Sequence, residues 1–293
     1  MQGRIVENIS NLYIVEISNK KYKAYARGKF KKEEIKPVVG DWVKVEFSDE
    51  EEKEIVIEEI LERNVYIKRP KMSNITQIIL VVSSKDPKPD LLMLDKQLAF
   101  LEYLNIKSLI VLNKIDLDQK EEFVKIKKIY EKIGYKVIET QAKEKIGIEE
   151  LKKELSENIN AFSGNSGVGK STLINAIFKK EMTQEGEISK KNKKGKNTTT
   201  HVKLYKIDKN TYIADTPGFS TFDIEEIKSK DLDKYYKEFR PYIEKCEFIG
   251  CTHIKEENCG IKKAVEEAKI DKERYDRFCK IYKELKDKEE RKW

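Results

Sequence analysis

Gly164-Asn165-Ser166-Gly167-Val168-Gly169-Lys170-Ser171 is the stretch that decides the fold of this 293-residue chain. An apolar run ending at Phe162-Ser163 precedes it, and Ser171-Thr172-Leu173 opens a helical pattern. The glycines therefore stand in a strand-to-helix turn, the context a phosphate loop requires. Gly164, Gly167 and Gly169 let the backbone turn tightly and aim its N–H groups inward. Those groups, with the helix N-terminus, form a cradle for a β-phosphate. The spacing assigns Lys170 to the β- and γ-phosphates as the catalytic charge and Ser171 to Mg²⁺, while Asn165, Ser166, Val168 and Thr172 complete the phosphate-binding stretch.

Working outward, Asn113-Lys114-Ile115-Asp116 lies upstream, at the end of the strand-like run Ser108–Leu112. Asp116 can accept two hydrogen bonds from the N1–H and 2-amino group of guanine. Adenine offers neither, and a buried carboxylate left unpaired discriminates by roughly 10⁴-fold. Thr140-Gln141-Ala142-Lys143 is similar to the Ser-Ala-Lys loop that backs the guanine carbonyl, which places Ala142 at the base, with Gln141 where serine is usual. Downstream stand Thr198-Thr199-Thr200 and Asp215-Thr216-Pro217-Gly218. Asp215 ends the strand Thr211–Ala214 and is expected to hold Mg²⁺ through water; Gly218 offers its N–H to a γ-phosphate. One threonine of the triplet should close over the metal, Thr199 being favoured and Thr200 the alternative. Base reader first, phosphate loop second and switch elements last is the order of a small GTPase cut and rejoined. The fold expected is α/β, a circularly permuted P-loop GTPase domain.

Phe219 follows Gly218 and neither donates nor accepts a hydrogen bond, so intrinsic hydrolysis should be slow. Asn197, Thr198 and His201, or a group from a partner, are the candidates for orienting the attacking water.

The flanks differ in texture. Apolar alternation runs from Gly3 to Ile17, from Tyr22 to Phe30 and over Trp42–Phe47, with short runs at Ile55–Ile57 and Val65–Ile67. Five short strands suit an OB-type barrel over residues 1–70, although other five-stranded barrels share the pattern. Lys71-Met72-Ser73-Asn74 reads as a linker. Residues 71–222 then alternate continuous apolar strands with helices, as in a parallel sheet covered on both faces. From residue 223 to 293 the pattern is helical and ends in an amphipathic helix over Asp271–Lys292.

Net charge is +7, yet residues 1–70 carry 14 basic and 14 acidic side chains and residues 223–293 carry 19 of each, so the whole excess lies between them. It concentrates in Lys179, Lys180, Lys190, Lys191, Lys193, Lys194 and Lys196, beside the threonine triplet, a placement suited to a phosphate backbone. No apolar run reaches the roughly 18 residues of a membrane span, and Met1-Gln2-Gly3-Arg4 begins no apolar leader. A cytoplasmic monomer with no membrane or DNA partner is expected.

Cys246, Cys251, His253 and Cys259 fall in one short stretch. Three thiolates and an imidazole match a closed tetrahedral Zn²⁺ site, structural because no coordination position stays open. Disulfides are disfavoured in the cytoplasm. Cys279 sits at a core-facing helical position and reads as packing.

Taken in order, these motifs resemble the ribosome small subunit-dependent GTPase A (RsgA/YjeQ) family of circularly permuted GTPases. Arg27-Gly28-Lys29-Phe30, Val39-Gly40-Asp41, Asn113–Asp116, Gly164–Thr172, Asp215–Phe219 and the Cys/His cluster carry the resemblance over nearly the whole chain. It implies an OB barrel, a permuted GTPase core, a C-terminal α-helical zinc-binding domain, and rRNA binding on the small ribosomal subunit late in its assembly, with that subunit stimulating GTP hydrolysis to GDP. Members usually carry a histidine where this chain has Asn197. Asn can orient water but does not titrate near neutral pH, so it is no general base.

Overall fold

The computed structural model describes residues 1–31, 35–47, 54–118, 121–178, 202–215 and 224–291. Thr198, Thr199, Thr200, Asn197, His201, Gly218, Phe219 and the lysines of 179–196 lie outside the described residues. Two compact units emerge: Met1–Ile78 with Glu149–Phe162 and Leu173–Phe219, and Ile79–Ile148 with Ser163–Thr172 and Ser220–Trp293.

In the first unit β1 (Gln2–Ile9), β2 (Leu12–Ile17), β3 (Lys20–Ala26), β4 (Trp42–Phe47) and β5 (Glu54–Ile60) close a barrel in the order β1–β2–β3–β5–β4–β1. β3 and β5 run parallel; the other neighbours are antiparallel. Ile5, Val15, Ala24, Val43, Val45, Ile55 and Ile57 are all buried, as strand alternation dictates for an inward face. The alternation expected to run unbroken from Gly3 to Ile17 is cut at Ser10-Asn11, where Ser10 takes φ 59° and turns β1 into β2.

Val65–Ile67, expected as the fifth barrel strand, instead contributes to β6 (Tyr66–Lys68), which pairs with β7 (Lys71–Ser73) in a separate hairpin. The expected linker is thus an ordered strand. Asp41 explains why. Its buried carboxylate accepts from Ser73 Oγ (2.6 Å), Arg63 Nε (2.7 Å), Arg63 Nη2 (2.8 Å) and Val38 N (2.8 Å). Gly40 has φ +97°, and a Cβ there would lie 1.9 Å from the Ser73 carbonyl oxygen. Val39-Gly40-Asp41 therefore clamps β7 onto the barrel, satisfying a buried charge as it does so.

The same unit holds β11 (Ile159–Ser163), parallel to β13 (Tyr212–Asp215), which pairs antiparallel with β12 (Lys203–Lys206). Barrel strand β1 pairs antiparallel with β12 at Glu7 and Lys203, whose side chains also form an ion pair of 3.1 Å. Barrel and sheet thus share a hydrogen-bonded edge.

In the second unit β8 (Gln77–Ser83), α1 (Leu91–Tyr103), β9 (Lys107–Asn113), α2 (Glu122–Ile133) and β10 (Lys136–Thr140) alternate, with sheet order β8–β9–β10 and β9 parallel to β10. Every residue of β8 is buried, as two-sided cover requires. Helices α3 (Ile148–Leu155) and α4 (Lys170–Phe178) fall mostly in the first unit. The C-terminal segment of the second unit contains short 3-10 turns at Ser229–Tyr235 and Lys237–Phe239, then α5 (Arg240–Ile243), α6 (Gly260–Glu266) and α7 (Lys272–Glu290). Asp271 caps α7 by accepting from Arg274 N (2.9 Å). Phe278, Ile281 and Leu285 of α7 are buried with Leu232, Tyr236 and Phe239, and Phe100 of α1 joins the same core. Cys279 packs at its edge, as its helical position predicted.

Candidate nucleotide site and metal centre

Asn113 holds the candidate nucleotide site together. It ends β9, is 2% exposed, and spends both ends of its amide inside the protein. Oδ1 accepts from Thr140 Oγ1 (3.0 Å) and Ala142 N (3.3 Å), while Nδ2 donates to Val168 O (2.9 Å) in the phosphate loop. One side chain therefore fastens the base-reading tetrad, the Thr140–Ala142 loop and the phosphate loop to each other. The structure brings these three sequence-distant segments together.

Past Asn113 the chain turns sharply. Lys114 takes φ 65°, its carbonyl accepts from Ser84 Oγ (2.7 Å), and its ammonium bonds the Asp86 carbonyl. Asp116 lies in the 3-10 turn Ile115–Leu117 with its side chain exposed. The capping of α2 falls to Asp118, whose carboxylate accepts from Glu122 N (3.1 Å) and Phe123 N (3.0 Å). Asp116 is thereby left out of the helix cap.

The phosphate loop is shaped by backbone that only glycine tolerates easily. Gly164, Gly167 and Gly169 have φ of 140°, 83° and 100°. A Cβ at Gly164 would stand 2.3 Å from the Val81 carbonyl oxygen, and one at Gly169 would stand 2.3 Å from Asn113 Nδ2. Lys170 curls back over the loop, donating to the carbonyls of Gly164 (2.7 Å) and Asn165 (2.9 Å). Burial lowers its pKa, a charge that an anion would compensate. Ser171 and Thr172 open α4 with exposed side chains. Asp215, half-buried, ends β13 in the first unit, opposite Lys203.

Two supports of the loop carried no motif. Gln97 of α1 donates to Ser163 Oγ (2.9 Å), just before Gly164, and Asp90, which caps α1 at Met93 N (2.9 Å), accepts from Asn165 Nδ2 (3.4 Å). Asp90 precedes a helical pattern and was findable as an N-cap. Gln97 left no such signal.

In the C-terminal segment, one ligand atom from each of Cys246, Cys251, His253 and Cys259 lies within 4.8 Å of the others. Cys246 Sγ is 3.9 Å from Cys259 Sγ and 3.5 Å from His253 Nδ1, and Nδ1 is 3.3 Å from Cys259 Sγ. Ligands about 2.3 Å from a tetrahedral ion stand roughly 3.8 Å apart, so the donor set is compatible with a zinc site. Burial pushes the Cys251 thiol up to about 12 and raises that of Cys259, a cost that a dication at the centre would reverse. The four cysteines form no disulfide.

Sequence reasoning missed the carboxylate behind the histidine. His253, 1% exposed, turns Nε2 to Asp233 Oδ2 (3.3 Å), which orients Nδ1 toward the sulfurs. Tyr275 of α7 donates to the His253 carbonyl (2.6 Å) and fixes the backbone at its φ of 63°.

A five-stranded barrel, an α/β core whose base reader precedes its phosphate loop, and a Cys/His cluster define a circularly permuted GTPase. The RsgA GTPase family model matches residues 60–225, and the RsgA N-terminal domain model matches residues 2–57. The chain is 40% identical to the small ribosomal subunit biogenesis GTPase RsgA of Clostridium botulinum over 295 residues, covering 100% of both chains. It is 38% identical to the protein of that name from Alkaliphilus metalliredigens, over 97% of this chain and 98% of the relative. Among solved structures it is similar to YjeQ from Thermotoga maritima, with TM-score 0.83, 35% identity, and coverage of 97% and 98%. YloQ, a circularly permuted GTPase, matches with TM-score 0.81, 31% identity, and coverage of 98% and 95%. The chain belongs to the RsgA GTPase family and is a GTP-hydrolysing enzyme. No helix among the described residues is long and apolar enough to cross a membrane.

Proposed function

We propose that this chain hydrolyses GTP as a late maturation factor of the small ribosomal subunit, which it binds through rRNA in the cytoplasm. The observation that carries the nucleotide half is the Asn113 side chain, which joins the base-reading turn to the phosphate loop. The ribosomal half is carried by relatives at 38% and 40% identity that are named for that process.

In this reading Asp116 accepts from guanine N1–H and the 2-amino group, the Thr140–Lys143 loop with Ala142 backs the base carbonyl, and Lys114 and Ile115 wall the base. Residues 164–172 wrap the phosphates, with Lys170 offsetting charge on the β- and γ-oxygens. Mg²⁺, when bound, would neutralise the β- and γ-phosphates; Ser171, Asp215 and Thr199 or Thr200 would hold it. Gly218 would present its N–H to the γ-phosphate. Asn197 or His201, or a group of the ribosome, would orient the water, since Phe219 has no polar group to do so. Cys246, Cys251, His253 and Cys259 would hold one structural Zn²⁺, with Asp233 fixing the imidazole tautomer. Residues 1–70 would act as the RNA-binding barrel, 71–222 as the GTPase and 223–293 as the zinc-binding part.

Sedimentation with separated ribosomal subunits tests the partner. With a non-hydrolysable GTP analogue the protein should travel with small subunits and be released in GDP. Migration with large subunits alone, or equal binding in both nucleotides, would contradict the assignment.

A further inference from the structure

Helix α1 stands between the phosphate loop and the C-terminal helix, and the two contacts leave from opposite sides of it. Gln97 reaches Ser163 Oγ on one side (2.9 Å, both buried). Two residues earlier, Asp95 is 0% exposed and receives Arg274 Nη1 and Arg277 Nε of α7, with Tyr130 Oη of α2 donating at 2.6 Å. Side chains two positions apart on an α-helix point about 200° from each other, so one short span of α1 is gripped from both flanks.

The grip is ionic where apolar packing would suffice. Arg274, 1% exposed, is also paired with Glu238, and further ion pairs join α1 to this segment at Lys96–Glu284 and at Glu102, which holds Lys237 and Arg240 at 2.9 Å each. Buried ion pairs add little net stability over packed hydrophobic residues, but they fix register, because a slipped helix leaves charges unpaired in a dry interior. α7 is thus keyed to a single position on α1. At its N-terminal end α1 is keyed to the loop again, through Asp90 and Asn165 (3.4 Å).

We propose that Asp95 and Gln97 are positioning residues through which α7 sets the geometry of the phosphate loop, so that the grip on nucleotide depends on the seating of the C-terminal helix. By linkage, nucleotide then biases α7 by the same factor. The assignment rests on the proposal that residues 164–172 hold GTP. It gives a partner bound at the C-terminal segment a route to the nucleotide that bypasses the switch residues.

A double-mutant cycle on the full chain tests this, using Gln97→Leu on the loop side and Arg277→Met on the α7 side, with Kd for a fluorescent GTP analogue as readout. Each single change should weaken binding about three- to tenfold, and the pair should be weaker than the worse single by no more than about twofold. Arg277→Lys, which keeps a cation near Asp95, should recover most of the affinity. Hydrogen exchange should quicken across residues 163–170 in Arg277→Met, a change that lost stability confined to α7 would not produce. A pair weaker than the worse single by more than about twofold, or an Arg277→Met protein with a lower melting temperature but unaltered Kd and exchange, would overturn the proposal. Failure of the unmutated chain to bind the analogue would instead remove the GTP assignment beneath it.

Discussion

At the phosphate loop the backbone sets the geometry. Gly164 and Gly169 occupy left-handed conformations where a Cβ would meet other atoms at 2.3 Å, and the buried Asn113 amide ties the loop to its neighbours. At the Cys/His cluster side chains set it: three thiols and a ring nitrogen converge from one short segment, and burial raises the Cys251 and Cys259 thiol pKa values. A site made of peptide geometry is formed before its ligand arrives. One made of converging thiols depends on the ion that offsets their desolvation. Damage should therefore propagate differently, globally from the cluster and locally from the loop.

The largest expected effect is at the cluster. Cys251→Ala should lose zinc and destabilise the C-terminal segment by about 4 kcal/mol or more, read as metal content and melting temperature. Retention of both would break the contrast. At the loop, Lys170→Ala should lower single-turnover GTP hydrolysis by about 10²- to 10³-fold while melting is little altered. Gly169→Ala should cost about 2 kcal/mol in strain and displace Asn113, weakening nucleotide binding. Gly250, between two cluster cysteines, offers the control. Its φ is +80° but nothing lies within 4 Å of a Cβ there, so alanine should cost only about 1 kcal/mol and leave zinc bound. One further change separates the cluster from its support. Asp233→Asn should weaken metal affinity about 10- to 100-fold in a chelator competition, with the fold intact at saturating zinc.

The same contrast governs what the sequence could reveal. Gly164–Ser171 and Asn113–Asp116 were legible because each encodes a local chain conformation, with strand before and turn or helix after. The clustering of Cys246, Cys251, His253 and Cys259 was legible from spacing within one stretch. Asp233, in a 3-10 turn well upstream of His253, obeys no spacing rule, and only the fold puts it against the ring. The barrel shows the limit of periodicity. Alternation carried straight through Ser10-Asn11, because a two-residue hairpin barely interrupts the pattern, and it misassigned β6 because three residues cannot say which sheet they join. Lys71–Ser73 looked like linker by polarity alone, whereas burial of Met72 and the Ser73–Asp41 bond depends on a partner thirty-two positions away. The pairing of β1 with β12 and the Asp95–Arg274 contact are of the same kind. Each joins sequence-distant residues through a surface that neither segment displays by itself.

The central proposal is that GTP hydrolysis by this chain is slow alone and needs the small subunit to be fast, since Phe219 follows Gly218 and Asn197 cannot act as a base. Single-turnover GTP hydrolysis with and without purified small subunits tests it most directly. Slow hydrolysis alone and a stimulation of about 10²-fold or more by small subunits is the predicted result. Tight GTP binding with an unaltered rate in saturating small subunits would contradict it.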